Sequence, residues 1–316
     1  MNEPEEGRSM NFVDLQVNGY AGVDFNAGPI NEKQIQLVAD RLRAGGVDVI
    51  LPTITTDDLG LMAGRLSNLR SLIDQDQSLR RLMPAFHIEG PCLSPVEGYR
   101  GCHPVEHIVP AKQELIEPLV EAAGGPDRVS IVTLAPEVDK GLVATRWLAG
   151  LGIHVAAGHT DASLELLREA EQVGLSLFTH LGNGNAAQMD RHDNIVYRAM
   201  SLEQIRYTLI PDGHHLPFWL VKKWVHWIGV DRCMFITDCI NAADAPEDLD
   251  MPEWREIDGS SGTPVARLKG TPYLAGAALT MKQGYSNAMK HVGLSEAEAT
   301  TLCCKRPRKF IQKWLR

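Results

Sequence analysis

The sequence predicts a closed barrel of eight parallel strands with helices outside, an α/β (β/α)8 TIM-type fold, and three observations carry that prediction. Eight apolar, β-branched runs alternate with amphipathic stretches from one end of the chain to the other. The length, 316 residues, suits one such barrel. Several of the runs end in a side chain capable of chemistry, at Glu89, His159, His180 and Asp238, and the C-terminal ends of the strands are where such barrels gather their active sites. A doubly wound open sheet is the rival arrangement, but no glycine-rich phosphate turn follows the first run.

The first strand is expected over 12–18. It leads to a helix that Asn31 can cap and Gly45-Gly46 can end, with Ile35, Val38 and Leu42 on one face. A strand over 47–53 precedes a helix over 58–73. The third run, 82–89, stops abruptly, because Gly90 and Pro91 cannot continue it. Glu89 is thereby left at a strand's rim. Residues 91–110 are rich in Gly, Pro, Cys and His and too irregular for a plain crossover helix; long loops on this face are usually functional. A helix over 114–123 leads to a strand over 128–134. Strands over 153–159 and 175–180 flank a helix over 162–173, and strands over 206–210 and 233–238 flank one over 217–228. Residues 244–276, with Ile257-Asp258-Gly259-Ser260-Ser261-Gly262 and the run 265–268, look like a small hairpin inserted after strand eight. Helices over 278–291 and 295–304 follow. The expected organisation is one barrel domain over 1–316, with its core at about 12–291, the hairpin at about 244–276 and C-terminal helices at about 278–316.

Apolar residues make up 44% and charged residues 22%, the balance of a soluble globular protein with a large core. A formal net charge of −9 argues against a nucleic-acid backbone as partner, since that needs clustered Lys and Arg. An anionic small substrate stays open, because one local Arg suffices for it. The six cysteines show no CxxC spacing and read as reduced thiols. The N-terminus has no apolar signal core, and no apolar run approaches the roughly 18 residues of a membrane span. A cytoplasmic protein is expected, without a membrane role.

In a closed barrel the ends of strands three, five, six and eight converge on one mouth, so Glu89, His159, His180 and Asp238 ring one point. One carboxylate and two imidazoles form a typical first shell for a catalytic zinc that keeps a position open for water. Asp238 is then placed to accept a proton and pass it to a leaving group. Each histidine alone is more simply a hydrogen-bonded rim residue; together, on strand ends, they point to one divalent metal, zinc by its ligand types. His87 faces the same side of its strand as Glu89 and reads as support for a ligand. His154, His192, His214 and His226 read as ordinary histidines.

The chain resembles the N-acetylglucosamine-6-phosphate deacetylase family of the metal-dependent amidohydrolases. The matching pieces are Asp14-Leu15-Gln16-Val17-Asn18-Gly19, His87-Ile88-Glu89-Gly90-Pro91, Gly158-His159-Thr160, Thr179-His180-Leu181-Gly182-Asn183, Asp212-Gly213-His214-His215, Thr237-Asp238 and the run 274–281. They occur in family order over nearly the whole chain. The resemblance implies Glu89, His159 and His180 as metal ligands, Asp238 as the catalytic aspartate and His103 as a histidine that helps polarise the acyl group. It implies His215, Asn183 and Gly184 as substrate contacts. Arg191 lies at the spacing of an arginine that, in family dimers, reaches the neighbouring subunit's phosphate site, so a homodimer is implied too. Where most amidohydrolases place His-x-His to hold a first metal, this chain has Gln16 and Asn18. Neutral amides are poor zinc ligands, so one metal is expected.

The chain also departs from the family. The flanking β-sandwich that family members build from both chain ends is expected to be missing. Gly182 stands in place of an aromatic residue and Gly184 in place of alanine, and Asp190-Arg191-His192-Asp193 is not the usual pattern. Deacetylation of an N-acetylated amino sugar, foremost N-acetylglucosamine 6-phosphate, is the expected activity. Another amidohydrolase, acting on an N-acyl amino acid or as a deaminase, and a non-catalytic metal-binding relative are the alternatives.

Overall fold

The computed structural model describes residues 10–246, 249, 255–258, 265–271 and 273–315. Eight strands form one parallel sheet: β1 (Phe12–Val17), β2 (Val47–Thr55), β3 (Phe86–Glu89), β4 (Val129–Leu134), β5 (His154–Ala157), β6 (Leu175–Phe178), β7 (Arg206–Leu209) and β8 (Cys233–Phe235). Each pairs with its neighbour in the chain. The ring closes just beyond the last strand, where Val17 bridges Cys239 and the Asn18 N–H donates to the Cys239 carbonyl at 2.7 Å. Both β1 and β4 are buried along their whole length, as strands between a barrel interior and a helix layer must be.

The helix layer is set by local signals. Asn31 and Gln34 form a capping box at the start of α1 (Glu32–Ala44), and Asp58 caps α2 (Leu59–Asp74) through the Gly60 and Leu61 amides. One expectation fails at the third run. Residues 77–82 form a short helix, α3 (Gln77–Leu82), whose first amides are held by the Asp76 carboxylate. Only the stretch from Phe86 is strand, because a short apolar run does not by itself distinguish helix from strand. The outer layer continues with α4 (Gln113–Ala123), α5 (Val143–Gly150), α6 (Leu164–Val173), α7 (Ile195–Met200) and α8 (Phe218–Ile228). The segment after strand eight carries β9 (Arg255–Asp258), β10 (Val265–Leu268) and β11 (Leu274–Ala277) in an antiparallel sheet of three, not a simple hairpin; the expected turn at 259–262 lies outside the described residues. Then come α9 (Met281–Lys290), α10 (Glu296–Thr300), a π-helical turn over Thr301–Lys305 and α11 (Arg306–Phe310). None of the described helices is long and apolar enough to cross a membrane.

The barrel interior is packed by Val13, Leu15, Val49, Leu51, Ile131, Leu177 and Met234, continuous at one end with Phe310, Ile311 and Trp314. The chain's last helix thus plugs the N-terminal end of the barrel and leaves the opposite end open. His154, at the start of β5, stacks on Phe310 with ring centroids 3.8 Å apart, and its Nε2 lies 2.9 Å from the Phe310 carbonyl. Burial pushes its imidazole down to about 4. The unfolded chain, with an ordinary histidine near 6.5, therefore takes up the proton first as pH falls. Stability from this contact is intact above pH 6.5 and is lost on the way to pH 4. His154→Gln should show a smaller loss of unfolding free energy between pH 7 and 5 than the parent, measured by urea titration at both pH values. Equal losses would show that this histidine carries none of the acid sensitivity.

Candidate active site

The open end of the barrel holds a cavity of about 850 Å³. Glu89, His103, His159, His180, Asn183, Gly184, His215 and Asp238 all line it. Three of these side chains are delivered by the same backbone device. His159, His180 and Asp238 have positive φ values of 51°, 30° and 51°, each within three residues of the end of its strand. Left-handed backbone is uncommon for residues other than glycine and is concentrated where a fold holds a residue for function. Here it ends β5, β6 and β8 earlier than the apolar runs suggest and turns each side chain over the mouth.

The donor atoms converge on one oxygen. Glu89 Oε1 lies 2.8 Å from His180 Nε2 and 3.4 Å from His159 Nε2. His159 Nδ1 is 2.9 Å from the Tyr99 carbonyl, which holds its proton on Nδ1 and leaves Nε2 as a donor atom facing Glu89. His180 Nδ1 is buried without a partner, while its backbone N–H donates to Thr208 Oγ1 at 2.7 Å. Burial opposes ionisation of Glu89, but the adjoining His159 and His180 hold its carboxyl well below the usual range. A carboxylate oxygen with imidazole nitrogens at these distances, all at most 7% exposed, is a donor set suited to a zinc-type divalent metal, but His180, expected as a ligand, is not among the described residues whose ligand atoms all lie within 4.8 Å of one another. A ring nitrogen of His103 comes within 4.8 Å of ligand atoms of Glu89 and His159, so this imidazole is a further candidate for the same ion. Its ring meets His159 edge-on at 4.4 Å. Burial, with His159 nearby, pushes His103 down to about 3, so the ring is neutral.

Gln16 and Asn18 fill the other side of the mouth. Gln16 Nε2 donates to Glu89 Oε2 at 3.1 Å and to Asp238 Oδ1 at 2.9 Å; Asn18 Nδ2 donates to the same Asp238 oxygen at 2.7 Å. Thr179 Oγ1 donates to Gln16 Oε1 at 3.0 Å and so orients that amide. Burial and the neighbouring Glu89 carboxylate push Asp238 above its ordinary range. His87 lies behind the mouth, between the Leu15 carbonyl and Thr133 Oγ1, as a supporting residue.

On the far wall, His215 Nδ1 lies 2.6 Å from Asp212 Oδ2, both side chains 4% exposed. The Gly184 backbone approaches His159 so closely that a Cβ there would stand 2.5 Å from the ring, with φ at 61°. Alanine does not fit this loop geometry. A Cβ on Gly182 would stand 2.7 Å from Leu216 and from Trp224, so Trp224 of α8 occupies the space where an aromatic at 182 would go. Arg191 is not brought to the cavity; it is exposed in the loop before α7. Among the described residues the cavity is lined by one Lys or Arg, Arg65, which Asp57 holds at 2.7 Å. Sequence reading had no signal for Arg65, for the Tyr99 carbonyl, or for Thr56, which lies 2.8 Å from His103 Nδ1. Asp212 was legible only as part of its motif.

No protein-family model matches the chain. It is 31% identical over 310 residues to the N-acetylgalactosamine-6-phosphate deacetylase of Shewanella sp. (strain ANA-3), covering 96% of this chain and 73% of that protein. It is 30% identical to the N-acetylglucosamine-6-phosphate deacetylase of Bos taurus, covering 95% and 73%. Among solved structures, a mutant N-acetyl-D-glucosamine-6-phosphate deacetylase from Mycobacterium smegmatis, in complex with N-acetyl-D-glucosamine-6-phosphate, superposes with a TM-score of 0.83 at 25% identity over 96% of this chain and 77% of that one. The enzyme of the same name from Pasteurella multocida gives 0.78 at 27% identity, over 96% and 76%.

Proposed function

We propose, from the premise that the chain belongs to the N-acetylglucosamine-6-phosphate deacetylase family, that it hydrolyses the acetamide of an N-acetylated amino sugar 6-phosphate. Its products would be acetate and the free amino sugar phosphate, with N-acetylglucosamine 6-phosphate as the leading substrate. One observation carries this reading: Glu89, His159 and His180 share one oxygen-centred point, and Gln16 bridges Glu89 to Asp238 beside it.

Glu89, His159 and His180 are the residues that would hold a divalent metal, zinc by ligand type. Bound there, such an ion polarises a carbonyl and lowers its water's pKa towards about 7. The chain's own groups do the rest. His103 donates a hydrogen bond to the acyl oxygen as charge develops there. Asp238 takes the attacking water's proton and returns it to the amine nitrogen as the C–N bond breaks. His215, held by Asp212, orients the sugar. Asn183 and Gly184 lie on the same wall and would receive the phosphate. Arg65 is already neutralised by Asp57, so a further cation for the phosphate would come from Arg191 of a second copy in a homodimer.

The test is acetate release from N-acetylglucosamine 6-phosphate, N-acetylgalactosamine 6-phosphate and their unphosphorylated sugars. A charge-assisted phosphate contact contributes about 1.5–3 kcal/mol, so KM should be about ten- to a hundredfold lower for the phosphorylated substrates. Equal KM values would remove phosphate from the proposal and leave a sugar deacetylase. Hydrolysis of N-acyl amino acids with no acetate from any sugar would overturn it.

A further inference from the structure

Thr56 stands immediately beyond β2, 5% exposed, and has no part in the roles assigned above. Its hydroxyl lies 2.8 Å from His103 Nδ1 and 3.4 Å from the Glu89 carbonyl. A threonine hydroxyl has one proton to give, and a neutral imidazole has one nitrogen that donates and one that accepts. The direction of the 2.8 Å bond therefore decides the chemistry of the other ring nitrogen. If Thr56 donates to Nδ1, Nε2 carries the proton and offers an N–H to the cavity. If Thr56 accepts from Nδ1, Nε2 offers a lone pair, which suits a metal and repels a carbonyl oxygen.

The short contact is the better use of the hydroxyl proton, since the alternative acceptor at 3.4 Å is at the limit of a hydrogen bond. Packing leaves the pair little freedom. A Cβ on Gly90 would stand 2.2 Å from Thr56 Oγ1, so the β3 turn closes directly over the hydroxyl. The His103 ring is wedged against His159 at 4.4 Å. We infer that Thr56 is a positioning residue that fixes His103 as the Nε2–H tautomer, which makes this imidazole a hydrogen-bond donor to the substrate's acyl oxygen and bars it from serving as a fourth metal ligand. The inference rests on the deacetylase reading for the identity of the acceptor, but the tautomer itself does not.

Two measurements test it. In metal-free protein labelled with ¹⁵N-histidine, the His103 pair of ring nitrogens, assigned by its loss in His103→Gln, should show an unprotonated Nδ1 and a protonated Nε2. A protonated Nδ1 would overturn the proposal whether or not any substrate is turned over. In the holoenzyme, Thr56→Val keeps the shape and removes the proton. It should lower kcat by roughly ten- to a hundredfold with KM within about twofold and metal content unchanged, and Thr56→Ser should restore kcat to within about threefold. Parental kcat in Thr56→Val, or equal damage in both variants, would refute the positioning role. If Thr56→Val does not fold, the nitrogen shifts of the parent decide the matter. No acetate release by the parent, with the Nε2–H tautomer confirmed, would sink the deacetylase reading and leave the Thr56–His103 assignment standing.

Discussion

Asp238→Asn is expected to fold, to bind its metal and to lose turnover by roughly 10² to 10⁴. The amide keeps an oxygen where Oδ1 now accepts from Gln16 Nε2 and Asn18 Nδ2, at 2.9 and 2.7 Å, so the hydrogen bonds that hold the side chain survive. What is lost is the capacity to take a proton. The positive φ of 51° at this position costs asparagine no more than aspartate, which makes Asn a better probe here than Ala. Thr237 also keeps the adjoining loop in place, its hydroxyl donating to Asp14 Oδ2 at 2.5 Å. Loss of kcat at parental metal content and thermal midpoint is the expected pattern. Turnover within a few-fold of the parent would remove Asp238 from proton transfer.

The barrel was legible because its signals are local and repeated. Apolar runs of strand length alternate with capped, amphipathic helices, and eight of them close a ring. Glu89 was legible for a similar reason, since Gly90 and Pro91 mark the strand's end in the sequence itself. The exact ends of β5, β6 and β8 were not, because histidine and aspartate, though enriched in left-handed backbone, adopt it in a small minority of cases, too weak a signal to place a strand's end. Glycine would have announced such a turn; here tertiary contacts impose it. The helix over Gln77–Leu82 was not anticipated: only Leu82 falls in the run 82–89 read as strand, and six residues with two leucines are too short to show a helical period. The supports of the site were largely invisible. Tyr99 acts through a backbone carbonyl, which has no residue signature, and Thr56 meets His103 across 47 positions of sequence. The crowding of Gly184 against His159 was also beyond reach, since a substitution relative to relatives does not say which atoms press on it.

Elemental analysis of fully loaded protein should give one divalent metal per chain, and Glu89→Gln should lose both that metal and all measurable turnover. The first half follows from Gln16 and Asn18. Their amide N–H groups point at the oxygens of Glu89 and Asp238 that a second cation would need, and Thr179 holds the Gln16 amide by its oxygen. A second ion would meet the positive ends of these dipoles and would require the Gln16 amide to turn over. The second half follows from the convergence on Glu89 Oε1. Replacing that carboxylate by an amide removes the one anion of the ligand set and leaves His159 and His180 facing a neutral group. Because an ion held only by the folded state stabilises it by about 4 kcal/mol at a thousandfold excess over Kd, added zinc should raise the parent's melting temperature and leave Glu89→Gln unmoved. Two equivalents per chain would show that the amides do not block the second position. A Glu89→Gln variant that kept its metal and its melting shift would move the site off Glu89, and His103, the remaining imidazole within reach, would then have to be a ligand.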